Sequence, residues 1–166
     1  MADLRDGRWV PTFPNAKYIF HKTEYADWEA LTKTGNNPPG NVWAYNCLPV
    51  VEAGQALLVD DTYALDETFT PIPTPGHSPF HCCVDIHSRG QRAIVTGDLM
   101  HHELQVRMPE LYTVFDTDTA AGITSRRTFF ESIAGTQAVL LPVHFPSPTA
   151  GRISRMGTSF DYIFMR

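Results

Sequence analysis

The strand-like runs of this chain are all short, and turn residues bound them. Ala56 to Val59, Phe69 to Ile72, His81 to Ile86, Arg92 to Thr96 and Ala138 to Leu141 have the length of globular strands and fall far below the ~20 apolar residues of a membrane-spanning helix. The 13 Pro and 11 Gly are scattered as punctuation, with no concentration that would mark a linker. No internal repeat or low-complexity segment is present. At 166 residues, with 43% hydrophobic and 19% charged content, the expectation is a single soluble domain over residues 1–166.

The periodicity changes along the chain. Ala16 to Phe20 reads as a strand, and Tyr25, Trp28 and Leu31 then recur at helical spacing up to about Lys33. Gly35 to Gly40 is a loop, after which Val42 to Val51 looks helical, with Pro49 as a kink or an early stop. From Gln55 the runs become strand-like and read as an antiparallel meander. Thr119 to Ala134 is a helix with Asp116 and Asp118 at its start and Gly135 as its stop. Arg152 to Met156 and Phe160 to Phe164 form a closing hairpin about Gly157-Thr158. The class is therefore mixed α/β.

Charge and cysteine content narrow the partners. With 13 Lys and Arg against 18 Asp and Glu and no basic stripe, nucleic acid is not expected. No membrane segment and no secretory signal core are present in the sequence, so a cytoplasmic location is expected. Cys47, Cys82 and Cys83 are odd in number and lack zinc-ligand spacing, which leaves them as small apolar fillers.

Three residues share one local context: a short strand ends and a His or Asp follows. They are His77 after Thr74-Pro75-Gly76, Asp98 after Thr96-Gly97, and His144 after Leu141-Pro142-Val143. Taken singly, such residues are more often solvated or turn-forming. Side chains at strand ends nevertheless sit on loops that a rigid sheet positions. If the three strands enter from one edge, two imidazoles and a carboxylate converge, a donor set suited to zinc, manganese or iron. His101 and His102 are close enough to Asp98 to be accessory ligands or a polar turn. His81 reads as a structural strand residue, Arg126 and Arg127 as solvated or paired with Asp116 or Asp118, and Phe13, Phe80, Met100 and Phe145 as core packing before pocket lining.

The ordered series Thr74-Pro75-Gly76-His77-Ser78-Pro79, Thr96-Gly97-Asp98 and His144-Phe145-Pro146 resembles the motifs of metallo-β-lactamase-fold hydrolases, above all the lactonase and methyl parathion hydrolase branch. Asp116-x-Asp118, Arg127, Phe130 and Gly151-x-Ile153 extend the likeness. It implies a partial metallo-β-lactamase-like αββα sandwich, a mixed sheet with flanking helices. It also implies that His77 binds one metal, that Asp98 bridges two and orients the attacking hydroxide, and that His144 binds the second. Zinc is the implied cofactor and a lactone, carboxyl ester or phosphotriester the implied substrate. The family's His-x-His-x-Asp-His motif is absent from the sequence, which thus reads as a truncated family pattern. Phe80 also stands where the pattern has Gly.

Three readings follow: a metal-dependent hydrolase with a partial site and weak turnover, a non-catalytic scaffold or interaction protein derived from the fold, or one piece of a larger assembly. In each, strands such as Ala56 to Val59 and Phe69 to Ile72 are expected to leave apolar surface and an open edge that a second copy covers, giving a homo-oligomer.

Overall fold

The computed structural model describes residues 2–35 and 41–165, so most of the loop expected over Gly35 to Gly40 lies outside the described residues. The chain divides into two compact units, one up to Thr62 and one from Tyr63 onward.

In the first unit, β1 (Ala2–Arg5) and β2 (Arg8–Pro11) form an antiparallel hairpin closed by Asp6-Gly7. β3 (Tyr18–His21) runs directly into α1 (Lys22–Lys33). A wide helical turn over Trp43–Cys47 passes into α2 (Leu48–Glu52). Pro49 lies in the first turn of α2, where its missing N–H breaks no helical bond, so it starts this helix instead of stopping the preceding one. β4 (Ala56–Val59) pairs in parallel with β3, which corrects its assignment to the antiparallel meander. The α1 crossover makes this pairing possible, because a parallel neighbour needs a long connection and not a tight turn. Trp43 and Val50 are buried, and Tyr25 meets the Trp43 ring edge-on at 5.1 Å. The Gln55 side-chain amide donates to the carbonyls of Phe13, Pro14 and Ala16.

The second unit is a six-stranded mixed sheet in the order β10-β9-β8-β7-β6-β5. β5 (Phe69–Pro73), β6 (Cys82–Ser88) and β7 (Gln91–Val95) form the expected meander. A 3₁₀ turn at Gly97–Leu99, the short α3 (Leu104–Arg107) and the long α4 (Thr119–Ile133) cross over to β8 (Val139–Leu141), which lies parallel to β7. β9 (Gly151–Met156) and β10 (Ser159–Phe164) close the sheet as a hairpin. Asp118 caps α4 by accepting from the Ala121 amide at 2.9 Å.

The core of this unit packs Phe129, Phe130 and Ile133 of α4 against Cys83, Ile94, Leu140, Ile153 and Phe160 of the sheet. Each such side chain stabilises the fold by roughly 1.5–3 kcal/mol. Cys83 is a buried filler whose thiol burial pushes up to about 12; Cys82 is exposed, against the expectation that all three cysteines fill the core. Phe145 and Met100 are core residues as well. Among the described residues no helix is long and apolar enough to cross a membrane.

β5 is antiparallel to β6 and β6 to β7, so β5 and β7 run the same way, and β8 is parallel to β7. The carboxyl ends of β5, β7 and β8 therefore open on one edge of the sheet, the edge where open α/β sheets bind ligands.

Candidate metal centre

Each of those three strand ends delivers one residue. The end of β5 continues through Thr74-Pro75-Gly76 to His77, that of β7 through Thr96-Gly97 to Asp98, and that of β8 through Pro142-Val143 to His144. The structure brings all three together. His144 Nε2 donates to Asp98 Oδ1 at 2.5 Å, and His77 Nε2 lies 3.6 Å from Asp98 Oδ2. His101 joins them, with Nε2 3.9 Å from Asp98 Oδ1 and its ring stacked on that of His144 at 4.6 Å. His77, Asp98 and His101 present ligand atoms that all lie within 4.8 Å of one another. His102 does not share this position: it is exposed, and its Nδ1 accepts from the Leu104 amide at 3.1 Å, which makes it a local helix-start residue.

Close backbone packing aims the His77 loop. Gly76 has φ +144°, and a Cβ there would overlap the backbone of Gly122 on α4. Only glycine allows the approach. The Gly76 carbonyl accepts from the Asp118 amide and from Thr117 Oγ1, which ties the loop to the start of α4.

Behind His77 stands a buried charge pair. Asp116 Oδ1 is 3.5 Å from His77 Nδ1, and Asp116 Oδ2 is 3.7 Å from Arg126 Nη1, the two charged side chains being almost wholly buried. Arg126 also donates to the carbonyls of Leu99, Pro109 and Leu111. Burial lowers its pKa, and the Asp116 carboxylate acts in the opposite sense. The expectation of a solvated Arg126 is thus corrected, while its alternative pairing with Asp116 is what the structure shows. Arg127 pairs instead with Glu110. A carboxylate facing the second ring nitrogen of a ligand histidine fixes its tautomer and orientation. The sequence shows Asp116 and Arg126, but nothing local says that they meet behind His77.

The electrostatics favour ligation. Burial works against the Asp98 charge, yet the His144 hydrogen bond and the neighbouring His77 and His101 outweigh it and hold the carboxyl below its ordinary value. Burial, then repulsion from His144, lowers the His101 pKa, which favours the neutral ring. The Nδ1 atoms of His77 and His101 are buried and make no hydrogen bond. Three imidazoles about one ionised carboxylate, the Nε2 atoms of all three turned toward it, fit a divalent metal of the zinc type.

No protein-family model matches the chain, and no curated protein matches it in sequence. Solved structures do. A hydrolase of the beta lactamase superfamily, AbOPH, superposes with TM-score 0.80 at 20% identity, covering 93% of this chain and 56% of its own. AidC, a dizinc quorum-quenching lactonase in complex with a product, gives TM-score 0.75 at 25% identity with the same coverage. A probable metal-dependent hydrolase from Staphylococcus aureus gives 0.68 at 19%, covering 93% and 54%. The chain thus spans little more than half the length of the structures it resembles.

Proposed function

Since the chain shares the fold of β-lactamase-superfamily hydrolases over 93% of its length, we propose that it binds a divalent metal, zinc in the first instance, and takes part in metal-assisted hydrolysis of a small ester, lactone or phosphotriester. The observation that carries this is the meeting of His77, Asp98, His101 and His144 at one sheet edge. In this reading His77, His101 and His144 hold the metal through ring nitrogens and Asp98 through its carboxylate. The bound metal would supply a water acidified to near neutrality and a Lewis acid for the developing oxyanion.

The chain's own residues do the rest. Asp98, held ionised, accepts a hydrogen bond from the attacking water and orients it toward the open edge. Asp116 and Arg126 keep His77 from turning away. The segment after α3 exposes Tyr112, Val114 and Phe115, and the Phe115 ring lies 6.4 Å from that of His101. An apolar lip beside the site suits a substrate with a hydrocarbon portion. Turnover by this chain alone is expected to be slow, because four protein donors complete a tetrahedral zinc, so that a water would enter only as a fifth ligand, and a single ion lacks the second metal of a two-metal clamp.

The test is metal content of protein purified without chelators, together with a lactone, ester and phosphotriester screen. Zinc retained by wild type and lost in His77→Ala, with slow metal-dependent hydrolysis of one class, is the expected result. Equal metal content in both proteins would overturn it.

A homo-oligomer belongs to the same proposal. β5 is an edge strand of the six-stranded sheet, and Phe69 and Val84 on it and its neighbour are more than a third exposed. Such edges recruit partners. Light scattering at micromolar concentration is expected to show more than the monomer mass, and a monodisperse monomer would contradict it.

A further inference from the structure

We propose that His81 is a positioning residue that locks the Asp98 turn to the His77 loop through a neutral imidazole carrying its proton on Nδ1. Its consequence for metal binding rests on the reading above, but its hydrogen bonds do not.

His81 closes the loop that carries His77. The Thr74 amide donates to the His81 carbonyl at 2.8 Å, and the His81 amide to the Ser78 carbonyl at 3.3 Å. The ring then folds back over the loop instead of continuing the strand face. Its Nδ1 is 2.8 Å from Thr74 Oγ1 and 3.1 Å from the Thr74 carbonyl, while its Nε2 accepts from the Asp98 backbone amide at 3.0 Å. One imidazole thus bridges the start of the His77 loop and the end of β7.

The chemistry permits one form of the ring. A backbone N–H can only donate, so Nε2 must offer its lone pair and the proton must sit on Nδ1, where the Thr74 carbonyl accepts it. Gly97 leaves room for this contact. It has φ +50°, and a Cβ there would lie 2.7 Å from His81 Nε2. The residue before Asp98 is therefore small for a reason that points at His81. Asp98 has no capping side chain in its 3₁₀ turn, so the imidazole supplies the acceptor that fixes its backbone.

The experiment compares wild type, His81→Leu and His81→Gln, whose Oε1 can stand where Nε2 stood. In the metal-free protein the Asp98 amide is expected to be protected from hydrogen exchange, His81 Nε2 to resonate as an unprotonated nitrogen, and His81→Leu to lose the protection. Titration with Co²⁺, followed by its visible absorption, is expected to show ~10- to 100-fold weaker binding in His81→Leu and recovery of most of that loss in His81→Gln. Equal Asp98 exchange in wild type and His81→Leu overturns the proposal. So does a His81→Gln as impaired as His81→Leu. If wild type binds no Co²⁺, the metal reading fails and the amide measurement alone decides the role of His81. Should His81→Leu not fold, Gly97→Ala breaks the same hydrogen bond with the imidazole retained. It is expected to lose the same protection, and unchanged Asp98 exchange there overturns the proposal.

Discussion

Two carboxylates lie beside β7, Asp85 and Asp98, and their surroundings are built differently. Asp85, on β6 opposite Ile94 of β7, is gripped by Arg92, with Nε and Nη2 each 2.8 Å from a carboxylate oxygen, and by His87 at 3.1 Å. Burial alone would raise the Asp85 pKa, but the Arg92 and His87 hydrogen bonds reverse this and lower it. Beyond the end of β7, Asp98 has three imidazoles around it and, among the described residues, no guanidinium ion pair. Arg126 is paired with Asp116 behind His77 instead. A fixed bidentate cation closes a site, because it occupies both carboxylate oxygens. The imidazoles make no such bidentate clamp on Asp98, whose side chain stays partly exposed. The first cluster therefore serves stability, and the second leaves its carboxylate accessible from outside.

The largest stability effect is expected at Arg126→Ala, which leaves the buried Asp116 uncompensated and should cost about 3–5 kcal/mol in urea denaturation. A cost below about 1 kcal/mol would show that Asp116 is held in some other way. Next comes Asp85→Asn, expected to cost about 1.5–3 kcal/mol through the loss of charge-assisted hydrogen bonds. Because the folded-state pKa of Asp85 is lowered, its contribution is complete above the ordinary carboxylate pKa of about 3.9. The gap between wild type and Asp85→Asn should hold from neutral pH down to that value and close as pH falls through the folded value. A gap that widened in acid would reverse the sign.

The same change at the open cluster should matter much less. The Asp98 side chain is 39% exposed, so Asp98→Asn in metal-free protein is expected to shift stability by less than about 1 kcal/mol. A loss equal to that of Asp85→Asn would erase the distinction between the two clusters. Smallest of all, His87→Ala removes a half-exposed partner that Arg92 makes redundant, with an expected shift within about 0.5 kcal/mol.

What the sequence discloses follows the same division. His77, Asp98 and His144 are legible because each carries a local signal, a short strand and then a turn residue, and because the strand directions put those ends on one edge. The Asp118 cap and the closing hairpin are local too. The pairing of Arg126 with Asp116 is open in the sequence as an alternative, but its place behind His77 and the role of His81 are not legible, since they arise from contacts between segments distant in sequence, and an isolated His before a strand gives no sign that it will fold back. β4 escapes for a related reason: a four-residue apolar run does not disclose whether its partner lies before or after it, nor in which direction it pairs. The hairpin of β1 and β2 does have a local signal, the Asp6-Gly7 pair, but its strands are too polar to stand out by alternation.

Calorimetric titration of metal-free protein with zinc, wild type beside Asp98→Ala, decides whether this sheet edge holds a metal. Wild type is predicted to bind about one zinc per chain, and Asp98→Ala to bind at least ~100-fold more weakly, because it removes the carboxylate about which the three imidazoles gather. Zinc affinity that is the same in both proteins, or absent from wild type, would contradict the claim that this sheet edge is a metal centre.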